Sequence, residues 1–566
     1  MVKINRRNFL KSAVLPLILI PKNASSSDSQ AWLHINQWNK QEFEKYSKWV
    51  ENIYDFKRNG TSPQKMARFG RIIDDNEMNL LNNENFLENG NPHVSKSEMS
   101  LLTSVTHCGS FPMLMSLYYS YRRGLPAVVS KIQMKKGGDI RYSSGNHPVG
   151  HVRSKPFEGD FGDFILSALE GNSGGYNFVS GNFRTSPNLE ATDSLPIAIT
   201  REFLKPGIMA YNADGHCLVV GKVDDSGEVH FLDSHPDHSI TFNQTLSALP
   251  LINSTSTDNI DSWYDGFKII RLAKIADEKS IPFSNEEMKQ FGFSLEQYET
   301  MIKIKAFADK TGFEINGKKV KFYPQFIRAR LQQGKEAPLS YLELSCQELG
   351  SMFRERASFV QEGWKNVLEY GSIEFPNDSA TENIYQADSA GRWEVWSSPS
   401  SDVDRRQKYN YLATRLEEMI EGFPNATGFD YQGFSSKKEL VKRLLEKKNE
   451  LFSNEIIFYK NSKEEDVPLT LIDVEKRLFD LSFDPNHCPE LRWGAPENSP
   501  ERTNMKLINV QLKTGEFLTT LKSYDLERGL RYYPERQTTP TSLDPEKNPK
   551  EPPFKLIEER LEKYLE

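Results

Sequence analysis

Cysteine is scarce in this sequence: 566 residues hold four thiols, Cys108, Cys217, Cys346 and Cys488. So few exclude a small disulfide-stapled scaffold, and each thiol has to be placed individually. Long apolar runs are lacking as well. Nothing after Ile20 approaches the about 20 consecutive apolar side chains of a membrane helix, so stable membrane insertion is not expected. Basic residues are not in excess, since 71 Lys and Arg stand against 78 Asp and Glu, a formal charge of −7. Nucleic acid is therefore not an expected partner, because phosphate neutralisation requires a basic face. No internal repeat of fixed period is present. The length exceeds what one core usually organises, which predicts two or three domains.

What is present begins at the first residues. Residues 5–11 read NRRNFLK, followed by the apolar residues 13–20 and the small, polar run NASSSDSQA. A basic start, a short apolar core and small residues are the grammar of an export signal. The pair Arg6 and Arg7, with Phe9, Leu10 and Lys11 behind it, resembles the twin-arginine motif. That resemblance implies export of a folded chain by the twin-arginine machinery, to the periplasm or beyond, with cleavage after Ala24 or Ala31. Loss of Lys3, Arg6, Arg7, Lys11 and Lys22 with a leader ending at Ala24 takes the formal charge from −7 to −12.

Four regions follow from the changing pattern: a leader over residues 1–31, a helical layer over 32–95, an α+β domain over 96–275, and a large, mainly helical region over 276–566. In the second, aromatic and aliphatic residues recur at helical spacing. Seven of the ten histidines lie between His107 and His238, which points to the third as the seat of any chemistry. The fourth reads as scaffold. It is interrupted by an expected hairpin at MKLINVQLKTGEFLTTL, an expected short strand at WEVW from Trp393, and a Pro-rich extended stretch over 534–553. Its two thiols, Cys346 and Cys488, are either a disulfide, which an oxidising compartment permits, or two unrelated buried thiols.

Cys108 lies in THCGSFPMLMSLYYSYRRGLP, where Ser110 is a candidate cap, Pro112 suits a first helical turn, and Gly124 with Pro126 ends the helix. A thiol at a helix N-terminus meets unpaired N–H groups and the positive end of the macrodipole, which favour the thiolate. Further on, GHCLVVGKVDDSGEVHFLDSHPD reads as a hairpin with DDSG at its turn. His216 opens its first strand and Asp233 closes its second, so the fold of the ribbon brings the two together. An imidazole placed there acts as base toward the thiol, and a carboxylate fixes its tautomer. A one-residue shift or a bulge at Gly227 puts Ser234 or His235 in place of Asp233. Cys217, next to His216 on an alternating strand, faces the core.

A Cys at a helix start, then a His opening and an Asp closing a hairpin, resembles the papain-like superfamily, including its transglutaminase-like and cell-wall hydrolase branches. The resemblance covers residues 96–275 and rests on three short stretches. It implies a papain-like α+β core with Cys108 as nucleophile, His216 as base and Asp233 as orienting carboxylate, with no cofactor. The implied reaction is acyl transfer from a peptide or peptidoglycan-type amide through a thioester. The chain departs from the pattern at Leu102, six residues before the thiol, where papain-like peptidases carry a Gln that lines the oxyanion hole. Thr103, Thr106 and His107 are the remaining side-chain candidates for that duty.

Two rival functions are readable. His216, His230, Asp233, His235, Asp237 and His238 offer enough nitrogen and oxygen for a zinc site. Alternatively the chain is a non-catalytic binding or scaffold protein on the same core, with Trp393, Trp396, Arg492 and Trp493 either lining a groove or serving as packing.

Overall fold

The computed structural model describes residues 32–59, 67–133, 146–155, 161–170, 192–211, 216–235, 238–245, 266–298, 313–315, 318–320, 323–373, 392–505 and 555–566. The expected leader, the hairpin at MKLINVQLKTGEFLTTL, the Pro-rich stretch and the two long Gly-rich segments between residues 134 and 191 lie largely outside them. The chain is mixed α and β, with one antiparallel seven-stranded sheet among the described residues.

Helix α1 (Lys40–Asn59) starts where the Asn39 side chain accepts the Glu42 N–H at 2.9 Å. It buries Phe43, Tyr46, Trp49, Val50 and Ile53, one apolar stripe at helical spacing. Next come β1 (Ala67–Arg68), α2 (Lys96–Ser104) and α3 (Phe111–Arg122). Every residue of α3 is buried. Arg123, just past its end, pairs with Glu42 of α1 at 2.7 Å, and Tyr119 of α3 donates to the same carboxylate at 2.8 Å. An uncompensated buried charge costs several kcal/mol, so this pairing fixes α1 against α3.

Strands β2 (Val128–Gln133) and β3 (His147–Arg153) form a separate ribbon. The main sheet is built from β4 (Ser194–Pro196), β5 (Met209–Tyr211), β6 (Cys217–Val223), β7 (Val229–Ser234), β8 (Ser239–Thr245) and β9 (Gly266–Ile270), with β1 at its edge. Its order is β1-β8-β7-β6-β5-β9-β4. The β6–β7 ladder slips between Val220 and Lys222, leaving Gly221 as the extra residue of a bulge. A Cβ at Gly221 would lie 2.5 Å from the Tyr54 ring, so the absence of a side chain lets α1 pack directly on the sheet.

Two hydrophobic cores result, one drawn from Trp32 to Leu331 and the other from Tyr341 to Leu561. Helix α4 (Tyr323–Leu331) belongs to the first; α5 (Pro338–Tyr370), α6 (Pro399–Gly422) and α7 (Lys437–Asn454) organise the second. At the centre of the second core, fully buried Arg356 of α5 holds fully buried Asp402 of α6 through two bonds of 2.7 and 3.0 Å. Its guanidinium also lies 5.0 Å from the Trp493 ring.

One expectation is corrected here, and two alternatives left open by the sequence are decided. WEVW is part of a short helix, Arg392–Trp396, because Trp393 and Trp396 are spaced to share a helical face: Trp393 meets Phe483, and Trp396 covers Gly363 of α5. Cys346 and Cys488 are both free and buried, with the Cys488 sulfur 3.8 Å from that of Met505, so no disulfide joins them. Trp393, Arg492 and Trp493 are no groove lining, since all three are at least 95 % enclosed and Trp493 stacks on Tyr459.

Candidate active site

Helical bonding begins before α3 itself. The His107 carbonyl accepts the Ser110 N–H at 3.0 Å and the Phe111 N–H at 2.9 Å, so Cys108 occupies the first turn. Ser110 is not the expected cap of later N–H groups. Its backbone is already helical, and its hydroxyl turns back, accepting from the His107 N–H at 3.1 Å and donating to the Val105 carbonyl. This pins the turn that presents the thiol. His107 and Cys108 stay partly exposed above a helix that is otherwise enclosed.

In the β6–β7 ladder Leu218 stands opposite Asp233, and His216 lies two residues before Leu218, on the same face. The His216 Nε2 is 3.0 Å from Asp233 Oδ1. The ring is 36 % exposed and the carboxylate 4 %, an arrangement in which the acid is sheltered and the base remains accessible. The slip at Gly221 lies on the turn side of this contact and leaves Asp233 in register. His235 is engaged elsewhere, its Nε2 lying 3.0 Å from the Thr241 hydroxyl. Cys217 is wholly buried, on the opposite face from His216.

The thiol of Cys108 hydrogen-bonds with both His107 and His216. Burial by itself raises its pKa, but the two imidazoles, by hydrogen bond and by charge, outweigh burial and pull it down to about 5. His216 responds in the other direction. Desolvation depresses the imidazolium, yet the Asp233 charge and hydrogen bond, together with the thiolate, raise its pKa well above the ordinary value. Asp233 is held below the usual carboxylate range in spite of its burial, chiefly by the charges of His216 and His235. Cys217 shows the contrast: burial raises its pKa well above that of a free thiol. The three shifts together favour a thiolate, an imidazolium and a carboxylate.

The remaining candidates are dispersed. His230 has Nε2 3.1 Å from Asp224 and Nδ1 3.4 Å from Glu348 of α5. His238 takes a φ of +66° and places Nδ1 2.8 Å from the Thr106 carbonyl, tying the end of β7 to the segment that leads into Cys108. Asp237 lies outside the described residues. Among the described residues no group of three or more His, Cys, Asp or Glu is arranged to hold a metal ion. The Thr103 hydroxyl donates to the Met99 carbonyl at 2.9 Å and that of Thr106 to the Leu102 carbonyl at 2.6 Å, so both protons are spent inside α2 and its end. Leu102 is a core side chain.

The sequence offers His107 as an oxyanion donor; its direct action on the thiol is the further role, signalled by its place beside Cys108. Asp404 of α6, which no sequence signal marks, lies within electrostatic reach of His216 and Asp233. No family model matches the chain, and neither a curated protein nor a solved structure does.

Proposed function

We propose that this chain is an exported cysteine hydrolase with a papain-like core, cleaving peptide or cell-wall amide bonds through a thioester on Cys108. The observation that carries the reading is the thiol bonded to His216 while His216 lies 3.0 Å from a sheltered Asp233. An activated nucleophile, a base and an orienting acid are what acyl transfer requires. The thiolate attacks the amide carbonyl, and the oxygen takes up the negative charge near the first N–H groups of α3. The His216 imidazolium then gives its proton to the leaving nitrogen as the C–N bond breaks, leaving a thioester and a neutral ring. That ring takes a proton from water, whose oxygen attacks the thioester carbonyl, and the returning sulfur leaves as thiolate. Asp233 keeps its charge throughout and stabilises the imidazolium.

Residues 5–11 support folded export, and among the described residues no helix is long and apolar enough to cross a membrane. The test is alkylation of the folded chain with iodoacetamide at pH 6, followed by peptide mapping and by release of peptides from muropeptide substrates. Cys108 is expected to be labelled first, and Cys108→Ala to release nothing. Slow labelling equal to that of the three buried thiols removes the reading.

A further inference from the structure

Two consecutive peptide planes lead into Cys108, and both are held. The Thr106 carbonyl accepts from His238 Nδ1 at 2.8 Å, while the N–H on the other side of the same peptide, that of His107, donates to the Ser110 hydroxyl at 3.1 Å. The next plane is held by the His107 carbonyl, which accepts the Ser110 N–H at 3.0 Å and the Phe111 N–H at 2.9 Å. Because each peptide is planar, fixing its carbonyl fixes the Cα atoms on either side. The position of the Cys108 backbone is set by these bonds.

Ser110 and Phe111 belong to the start of the helix that follows the thiol. His238 comes from the sheet, 132 residues further along the chain. It stands between β7 and β8, where the His235 N–H donates to the Ser239 carbonyl and the His238 N–H to the His235 carbonyl, both at 2.9 Å. Next to this turn Ser234 is opposite Ile240 and Asp233 is opposite Thr241. The two strands that fix the Asp233 carboxylate therefore also carry the imidazole that reaches Thr106. A carbonyl can only accept, so the proton lies on Nδ1 of His238. Thr106 is fully buried, and its N–H and hydroxyl are already bonded to the end of α2, at Thr103 and Leu102. With a φ of +66°, His238 holds a backbone that glycine or asparagine adopts more readily, yet glycine would bring no donor to that carbonyl.

We propose that His238 is a positioning residue for Cys108: by donating to the Thr106 carbonyl it locks the turn that bears the thiol to the strands that bear Asp233, and so sets the separation of the sulfur from the His216 ring. The proposal rests on the thiol-enzyme reading above. Without the lock the turn keeps its bonds to its own helix but is free to shift against the sheet, and the attraction between thiolate and imidazolium weakens as they separate.

The experiment compares the full chain with His238→Gly and His238→Asn. Glycine takes the left-handed backbone without strain and has no donor; asparagine tolerates that backbone and brings an amide N–H toward the same carbonyl. Iodoacetamide alkylation of Cys108 is followed from pH 4 to 9 in all three, with thermal midpoints alongside. His238→Gly is expected to raise the alkylation edge by about one pH unit, the lower end of what a neighbouring opposite charge does, and His238→Asn to return it. A lower thermal midpoint with an unmoved edge is the result of a purely structural contact and overturns the proposal, as does an Asn edge no lower than the Gly edge. Should the Gly chain not fold, the His238 tautomer in the unmutated chain decides, read from its ring-nitrogen resonances at pH 9: a proton on Nδ1 is expected, and a proton on Nε2 overturns the proposal. If Cys108 in the unmutated chain alkylates no faster than an ordinary thiol, the enzyme reading itself fails. Fast alkylation with three coincident edges removes the role of His238 alone.

Discussion

Leu218 and Asp233 are directly opposed across β6 and β7, and that single register places the carboxylate on the face from which His216 also projects. A slip of one residue would send Asp233 to the other face of the sheet, with Cys217. Asp233→Asn keeps the shape and deletes the charge. Turnover should fall on the order of 10⁴-fold, as expected when an imidazolium loses its orienting carboxylate. Steady-state kinetics on a muropeptide substrate measures it, and a loss below tenfold removes Asp233 from the site.

His107 and His216 both act on the thiolate, and His216 is backed by the Asp233 carboxylate at 3.0 Å. In the unmutated chain Cys108 alkylation should be nearly level above about pH 5, because the thiol is ionised there, and should fall below it. His216→Ala moves that edge toward the ordinary thiol value of about 8.5 and slows labelling at pH 6 at least tenfold. His107→Ala shifts it in the same direction by less. Stopped-flow alkylation across pH 4 to 9 checks both, and equal edges in all three chains would mean that neither imidazole bears on the sulfur.

Arg356 and Asp402 are both fully enclosed, so removing one strands the other. Arg356→Ala should cost about 3 to 5 kcal/mol. The denaturant midpoint of the second core reports the loss, whereas replacing both partners by Met and Leu should recover much of it.

Gly227 takes a φ of +84° at the hairpin turn, and a Cβ there would sit 2.7 Å from the Arg328 carbonyl. Gly227→Ala combines a left-handed backbone with a collision against α4. A cost of about 1 to 3 kcal/mol is expected, read as a lower thermal midpoint.

The parts of the structure that were legible in the sequence are those written in local patterns. Pro112 near the start and Gly124 after the end bound α3, and the apolar runs on either side of DDSG mark β6 and β7. From those two elements the neighbourhood of Cys108, His216 and Asp233 could be anticipated. WEVW was misread because four residues fit a strand period and a helical i, i+3 pair equally well; packing on α5 decided it. Cys346 and Cys488 illustrate a different limit, since compartment chemistry permits a bond that only coordinates can place. Asp404 shows the same limit: sequence periodicity shows which face of α6 is apolar, not that its carboxyl will come within electrostatic reach of His216 and Asp233.

The enclosure of α3 on every side has a consequence for the proposed hydrolase. With every residue of the helix buried, the sulfur sits on a fixed anvil, and under that proposal a substrate would reach it past the partly exposed edges of His107 and His216. Selection then belongs to the entrance: changes in the rim should alter which chains are admitted while leaving the blow itself unchanged.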